Sequence, residues 1–524
     1  MPYTVDETVS PPLVDIPRDF NLAHELIDKN LRAGRAEKVA YIDDNGSYSF
    51  EELDKRINRA GNALLKLGLN IEDRVVIAHH DTIDFPSVFL GAIKAGIVPV
   101  AVNTLLTPDD YAFMLKDCRA KALIVSSGLL ATMSRAIDES PYIQHVIVSG
   151  EYDGNLNSLS DLMNRAPDDL SPAATVADDS CFWLYSSGST GTPKGTIHAH
   201  SSAIYTAEYY AKPILGIKES DVVFSAAKLF FAYGLGNGLT FPLSVGATTV
   251  LMAERPTPDA VFKRLIDHQP TIFYGVPTLF GSMLASDRLP ASGDIAVRVA
   301  TSAGEALPAE LGKRWSERFG SEILDGIGST EMLHIFLSNR PGEVRYGSTG
   351  KPVPGYEIRL VGDDGSEVPT GELGELQIKG PSSASSYWNQ RDKTRNTFVG
   401  EWTRAGDKYS CDGDGYYTYG GRSDDMLKVS GLYVSPFEVE AALVSHPSVL
   451  EAAVVGSEDA DRLTKPRAYV VLSPGNTPDA NLESELKNHV KALLAPFKYP
   501  RWIEFVDELP KTATGKIQRF KLRQ

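Results

Sequence analysis

Residues 74–103 read RVVIAHHDTIDFPSVFLGAIKAGIVPVAVN, and the reading of this stretch decides the fold. RVVIAHH at 74–80 and IVPVAVN at 97–103 are β-branched runs of buried-strand length, and DFPSVFLGAIKAG between them carries apolar residues at helical spacing. Strand, helix, strand within thirty residues is the signature of a parallel sheet covered by helices. The pattern continues outward: Thr107-Pro108 gives an N-cap and an N1 proline before DDYAFMLKDCRA, and KALIVSS at 121–127 is the next strand. Thr257-Pro258 repeats the start signal before DAVFKRLIDH, followed by the strand TIFYGV at 271–276. The expected class is α/β: a large N-terminal domain with mainly parallel sheets flanked by helices, and a small mobile α+β C-terminal domain. A glycine-rich, charged region at about 400–435 separates the two, and the boundary is set near Arg422, giving domains 1–423 and 424–524. In the second domain VEAALVSHPSV (439–449) and LESELKNHVKALLAP read as helices, and LEAAVVGS and KPRAYVVLS as strands. No solenoid repeat or low-complexity tract interrupts the chain.

Composition narrows the function. The 524 residues are 42% hydrophobic, enough for more than one core, and carry 52 basic against 68 acidic side chains, a net charge of −16. Such a field disfavours nucleic acid or an anionic membrane as a partner, so any phosphate site has to be cationic locally. The three cysteines, Cys118, Cys181 and Cys411, are far apart and form no zinc-type spacing, which fits a reducing cytoplasm. The opening MPYTVDETVSPPL lacks the basic and apolar segments of a signal peptide, and Val88–Val102, broken by Lys94 and Pro99, is too short to span a bilayer; a cytoplasmic protein is expected.

Nucleotide chemistry enters at Tyr185-Ser-Ser-Gly-Ser-Thr-Gly-Thr-Pro-Lys-Gly195. Gly188, Gly191 and Gly195 let backbone N–H groups approach anionic oxygens, Ser186, Ser187, Ser189, Thr190 and Thr192 add hydroxyl donors, and Lys194 adds a positive charge. The segment is not a Walker A loop, because Pro193 stands where the second glycine belongs. TSAGEALP at 301–308 offers backbone at Ala303-Gly304 for a flat ring, or is an ordinary strand-to-helix turn. DGIGSTEM at 325–332 ends in Thr330 and Glu331, a hard-oxygen pair suited to Mg²⁺ and phosphate, or else the cap and first turn of a helix. TRAGD at 403–407 puts Asp407 on a turn where it could bond vicinal ribose hydroxyls, and GGRSDDMLKVSG at 420–431 is a charged linker.

In this order, and closed by PKTATGKIQR, the six motifs resemble the acyl-adenylate-forming superfamily of acyl-CoA synthetases, adenylation domains and luciferases over nearly the whole chain. The resemblance implies ATP, Mg²⁺ and coenzyme A as reaction partners. It implies that Ser186, Ser187, Gly188, Ser189, Thr190, Gly191, Thr192 and Lys194 hold the β- and γ-phosphates. Gly304, Glu305, Asp325, Gly326, Ile327 and Gly328 would surround adenine, with Ile327 where many members have an aromatic residue. Asp407 and Arg422 would bind ribose, Thr330 the α-phosphate and Glu331 the metal. Asp424 matches the hinge, Ser430 and Gly431 match positions beside coenzyme A, and Lys516 matches the lysine that enters the site for adenylation.

The acid is addressed by AAKLFFAYGLGNG at 226–238, where Phe231 replaces the histidine of P-L-F-H-x-x-G and Tyr233 adds a second ring. With Ala232 and Ala303 leaving room and His334 and Ile335 closing it, this segment suggests a flat slot for a planar aryl acid, or ordinary core. Among family members the chain looks most like the benzoate–CoA ligases, with 4-hydroxybenzoate or other aryl and short-chain acyl-CoA ligases, and aryl-acid adenylation domains that load a carrier, as alternatives. Acetylation and deacetylation of Lys516 and a homodimer complete the expected partners.

Overall fold

The computed structural model describes residues 2–187, 193–423, 425–429, 432–459, 463–511 and 517–523. Its first large sheet has eight strands. Arg74–Ala78 lies between Val98–Ala101 and Ala122–Ser126, all parallel, and His145–Ser149 extends the parallel run. Val75, Val76 and Ile77 are fully buried because both faces of a parallel sheet are covered. Ser180–Ser187 joins this sheet parallel to Val98–Ala101, then turns back as the antiparallel strand Pro193–Ala199, with Ser386–Tyr387 at the edge.

The second sheet has nine strands. Its parallel body runs through Val39–Asp43, Thr248–Val250, Val222–Ser225, Ile272–Gly275, Val299–Ser302 and Glu322–Gly328. At one end Ile335–Ser338 returns antiparallel to Glu322–Gly328. The start signals act as the sequence suggests: Thr107 accepts from the amide of Asp110, and Thr257 from that of Ala260, each before a proline at the helix start.

One region differs from the α/β expectation. Glu357–Val361, Gly374–Lys379, Trp402–Cys411, Phe398–Val399 and Tyr417–Arg422 form a third, wholly antiparallel sheet. The C-terminal elements Pro436–Val444, Val449–Glu458, Thr464–Leu472, Ala480–Leu493 and Trp502–Phe505 gather their own apolar core, including Val439, Leu443, Val454, Val470, Leu486 and Val490.

Helix Asp84–Lys94 is buried on all but its first residue, and its contact with helix Phe50–Lys66 sets how near the layers come. A Cβ on Gly91 would lie 2.7 Å from the carbonyl oxygen of Ile57 and 2.8 Å from Cβ of Ala60, so the helices meet backbone to backbone. Gly91→Ala gains helix propensity of about 1 kcal/mol but forces the helices apart at a cost of roughly 1–3 kcal/mol, and net destabilisation is expected. Equilibrium urea denaturation checks this, and an unchanged or higher midpoint would show that the crossing has slack.

Candidate active site

The described ends of the hydroxyl-rich segment are paired antiparallel strands. Ser180–Ser187 and Pro193–Ala199 pair so that Tyr185 faces Gly195 and Ser186 faces Lys194. The hairpin tip, Gly188, Ser189, Thr190, Gly191 and Thr192, and the side chain of Ser187 lie outside the described residues. The stem is anchored from behind, where the Tyr185 hydroxyl donates to Asp117 Oδ2 at 2.7 Å.

Thr330 and Glu331 correct the helix-cap alternative. They sit in the tight turn joining the antiparallel strands Glu322–Gly328 and Ile335–Ser338. Gly328 permits that turn, since a Cβ there would lie 2.5 Å from the carbonyl oxygen of His334. The carbonyl of Thr330 accepts from Nε2 of His198 at 2.8 Å, and the amide of Ala384 donates to the carbonyl of Glu331 at 2.7 Å. Donors then converge on one carboxylate oxygen. Glu331 Oε1 accepts from the Tyr387 hydroxyl at 2.7 Å and from Ser186 Oγ at 3.3 Å, and Lys194 Nζ stands 3.7 Å away. Burial pulls the Lys194 ammonium below the usual lysine range, and the Glu331 carboxylate pushes it back. Among the described residues no group of three or more His, Cys, Asp or Glu side chains could hold a metal. A cation at Glu331 would therefore depend on one carboxylate plus phosphate oxygens, which is how Mg²⁺ is usually held.

Asp407 lies within strand Trp402–Cys411 and not on a turn, opposite Arg422 across the antiparallel ladder. The two form an ion pair at 3.2 Å, with Asp407 buried and Arg422 partly exposed. Gly304, two residues beyond the end of strand Val299–Ser302, takes a φ of +95°, so Ala303 and Glu305 are carried on a sharp turn at the strand's end. Asp325, Gly326, Ile327 and Gly328 are the last residues of the neighbouring strand, and burial holds the Asp325 carboxyl well above the usual range.

The expected slot residues divide. Tyr233 and His334 come together, with ring centroids 5.5 Å apart, and Tyr210 and Phe241 pack on the same imidazole at 5.3 and 4.4 Å. Ile335 lies beside them over Gly326, and buried Ala303 follows Thr301, to which the Tyr233 hydroxyl is bonded. Phe231 caps the short helix Ala232–Leu235 and packs on Phe230 at 4.6 Å. His334 Nε2 is 3.3 Å from the carbonyl of Tyr233 and 3.1 Å from Oδ1 of Asn237. A carbonyl only accepts, so Nε2 carries the proton and Nδ1 is a bare acceptor, buried and without a partner among the described residues. Lys516, Asp424, Ser430 and Gly431 lie outside the described residues.

The model of the AMP-binding enzyme family matches residues 28–388, and that of the AMP-binding enzyme C-terminal domain matches residues 438–516. The chain belongs to the AMP-binding enzyme family. It is 62% identical over 520 residues to a benzoate–CoA ligase of Thauera aromatica, covering 99% of this chain and 98% of the relative. It is 51% identical to a 4-hydroxybenzoate–CoA/benzoate–CoA ligase of Rhodopseudomonas palustris, over 97% of this chain and 94% of that one. A solved benzoate CoA ligase from Burkholderia xenovorans superposes with a TM-score of 0.91 at 57% identity, covering 96% of this chain and 100% of the other. The superfamily resemblance and the α/β class read from the sequence are thereby borne out. No helix among the described residues is long and apolar enough to cross a membrane.

In this AMP-binding enzyme the residues that sequence reasoning passed over are Tyr387, His198, Tyr210, Asn237 and Thr301, all brought in by pairing between distant strands and helices. Only His198 had a local signal, since Thr196 and His198 alternate inward along a strand and are both buried.

The buried histidines give a sign-definite pH dependence. Burial pushes His334 down to about 3 and His198 and His200 to about 4. The unfolded chain takes up protons on these rings below about 6.5 while the folded chain does not, so their contribution is full above pH 6.5 and drains as pH falls toward 4. Asp81, raised to about 6 by burial, works in the opposite direction over part of that range. His334→Phe should therefore shrink the loss of unfolding free energy between pH 7 and 5 by about 2 kcal/mol. An unchanged difference in denaturation experiments at the two pH values would mean that His334 is charged in the fold.

Proposed function

We propose that this chain is an AMP-forming benzoate–CoA ligase, which joins benzoate, ATP and coenzyme A into benzoyl-CoA, AMP and pyrophosphate. The observation that carries the choice of acid is the uncharged ring cluster of Tyr233, His334, Tyr210 and Phe241, set beside the turn that bears Glu331. Its flat ring faces suit an aryl ring, and the end-to-end likeness to benzoate–CoA ligases supports the same acid. A second reading, activation of a hydroxybenzoate, is favoured by one observation. The Tyr233 hydroxyl is spent on Thr301, whereas His334 Nδ1 is a bare buried acceptor that a ring hydroxyl could fill.

Benzoate is a weak nucleophile and ATP is an anion, so their approach needs neutralised charge and in-line placement. We assign Lys194 and the hairpin to the β- and γ-phosphates, Gly304, Glu305 and residues 325–328 to adenine, Asp407 and Arg422 to ribose, and Thr330 to the α-phosphate. Mg²⁺ bound at Glu331 would supply charge stabilisation on the phosphates. In the first step a carboxylate oxygen attacks the α-phosphorus and pyrophosphate leaves. In the second the coenzyme A thiolate attacks the acyl carbon and AMP leaves. Lys516 serves the first step, and rotation of residues 424–524 about Asp424 opens the second, in which Ser430 and Gly431 approach coenzyme A. We place this chemistry in the cytoplasm, where acetylation of Lys516 would remove its charge and silence the first step.

Two measurements test the proposal. Lys516→Ala should lower benzoyl-AMP formation by orders of magnitude yet leave thioester formation from supplied benzoyl-AMP largely intact, and equal loss in both half-reactions would remove Lys516 from its assigned role.

For the acid, Tyr233→Ala should cut kcat/KM for benzoate by a factor on the order of 10 to 10³, with bulkier ring-substituted benzoates losing less because they fill the vacated space. Acid-dependent pyrophosphate exchange over a panel of benzoate, hydroxybenzoates, halobenzoates and acetate reads this out. A wild-type preference for acetate would overturn the aryl assignment.

A further inference from the structure

The two-residue strand Ser386–Tyr387 closes the edge of the first sheet against Pro193–Ala199, the strand that carries Lys194. Successive side chains of an extended chain point to opposite faces, and here the two faces grip the hairpin from both sides. On the back, the Trp388 amide donates to the carbonyl of Gly195 and its indole N–H to the carbonyl of Asp117 at 2.9 Å. The Trp388 ring packs on Trp183 at 4.8 Å, with the Arg74 guanidinium 5.2 Å from its centroid. On the front, Tyr387 meets both charges of the site. Its hydroxyl donates to Glu331 Oε1 at 2.7 Å, Lys194 Nζ lies 3.3 Å from the same hydroxyl, and the ammonium stands 4.4 Å from the ring centroid.

The donor and acceptor roles are forced. An ammonium only donates, a carboxylate only accepts, and a phenol does both, so Lys194 donates to the Tyr387 oxygen while Tyr387 donates to Glu331. All contacts to the carboxylate from described residues, those of Tyr387, Ser186 and Lys194, fall on Oε1. Lys194 and Glu331 form an ion pair at 3.7 Å, longer than a direct charge-assisted hydrogen bond of about 2.7–2.9 Å.

We propose that Tyr387 is a positioning residue of the phosphate site: its hydroxyl stands between Lys194 and Glu331, preventing their collapse into a contact pair and keeping carboxylate oxygen Oε2 and the ammonium turned to a divalent cation and a phosphate. This rests on the assignment of Lys194 and Glu331 to ATP and its metal. Tyr387→Phe removes the hydroxyl but keeps the ring under the ammonium, so the predicted consequence is a neutralised Lys194–Glu331 pair with an intact sheet edge.

The test is equilibrium binding of ATP by titration calorimetry across a Mg²⁺ series, with no turnover required, on wild type, Tyr387→Phe and Lys194→Ala. Tyr387→Phe should weaken Mg·ATP binding by about tenfold, the scale of one hydrogen bond to a charged group, and should raise the Mg²⁺ concentration for half-maximal binding. In turnover assays the KM for Mg·ATP should rise while that for benzoate is unchanged. Wild-type Mg²⁺ dependence in Tyr387→Phe, together with weakened binding in Lys194→Ala, would overturn the role of Tyr387 alone. Absence of any effect of Lys194→Ala would overturn the phosphate-site assignment with it. Equal weakening at every Mg²⁺ concentration, accompanied by a lower melting temperature, would reduce Tyr387 to a structural residue and refute the proposal.

Discussion

One carboxylate oxygen, Oε1 of Glu331, joins three stretches of chain that are far apart in sequence: the hairpin carrying Ser186 and Lys194, the turn after Glu322–Gly328, and the edge strand with Tyr387. A hydrogen bond to a charged group in a partly buried setting is worth about 1.5–3 kcal/mol, and leaving such a charge without donors costs more than forming the bond gains. The geometry of the site therefore hangs on this junction. The turn cannot relax without abandoning donors on two other elements, and neither sheet edge can move without exposing the carboxylate's neighbours.

The side proposed to bind the acid follows the opposite rule. Among the described residues the hydrogen bonds and ring contacts of His334 involve no cation, and burial keeps the imidazole neutral, so what it would offer a ligand is one acceptor and aromatic faces. A charged group there would compete for the carboxylate of an aryl acid and turn it away from the phosphates. Neutral walls leave the carboxylate to seek the cationic end of the site. On the proposed assignment the ring would be held by shape and the carboxylate by charge, with Thr330, Glu331 and His334 spaced along one turn to serve both ends.

Much of the fold was legible because its signals are local. The Arg74–Ala78 and Val98–Ala101 strands with the intervening helix follow from periodicity, and Thr107 and Thr257 cap the helices that their prolines announce. The antiparallel sheet of residues 357–422 was missed because charged residues and glycines break into its strands, as in WTRAGDKYSC at 402–411 and YTYGGR at 417–422, so the alternation that marks a strand is diluted. The same weakness put Asp407 on a turn, although its partner Arg422 lies only 15 residues on. In the site, the motifs located the groups, but their order came from contacts that no local pattern encodes. Tyr387 reaches Lys194 across 193 residues and His334 reaches Asn237 across 97, and single tyrosines or asparagines in polar surroundings carry no periodicity.

Net charge bears on how the proposed phosphate site would have to work. A chain at −16 repels a nucleotide at long range, yet at physiological ionic strength charges more than about 8–10 Å apart are largely screened. What decides binding is then the arrangement within a few ångströms. Lys194 is largely withdrawn from water, with its side chain 16% exposed, so its attraction to an anion is screened less than that of a surface lysine. That gain would be cancelled if the ammonium were allowed to close on Glu331, its nearest carboxylate. On the proposed assignment, holding a polyanion takes more than a cation in the right place: a neutral group, here the Tyr387 phenol, keeps that cation from its own carboxylate.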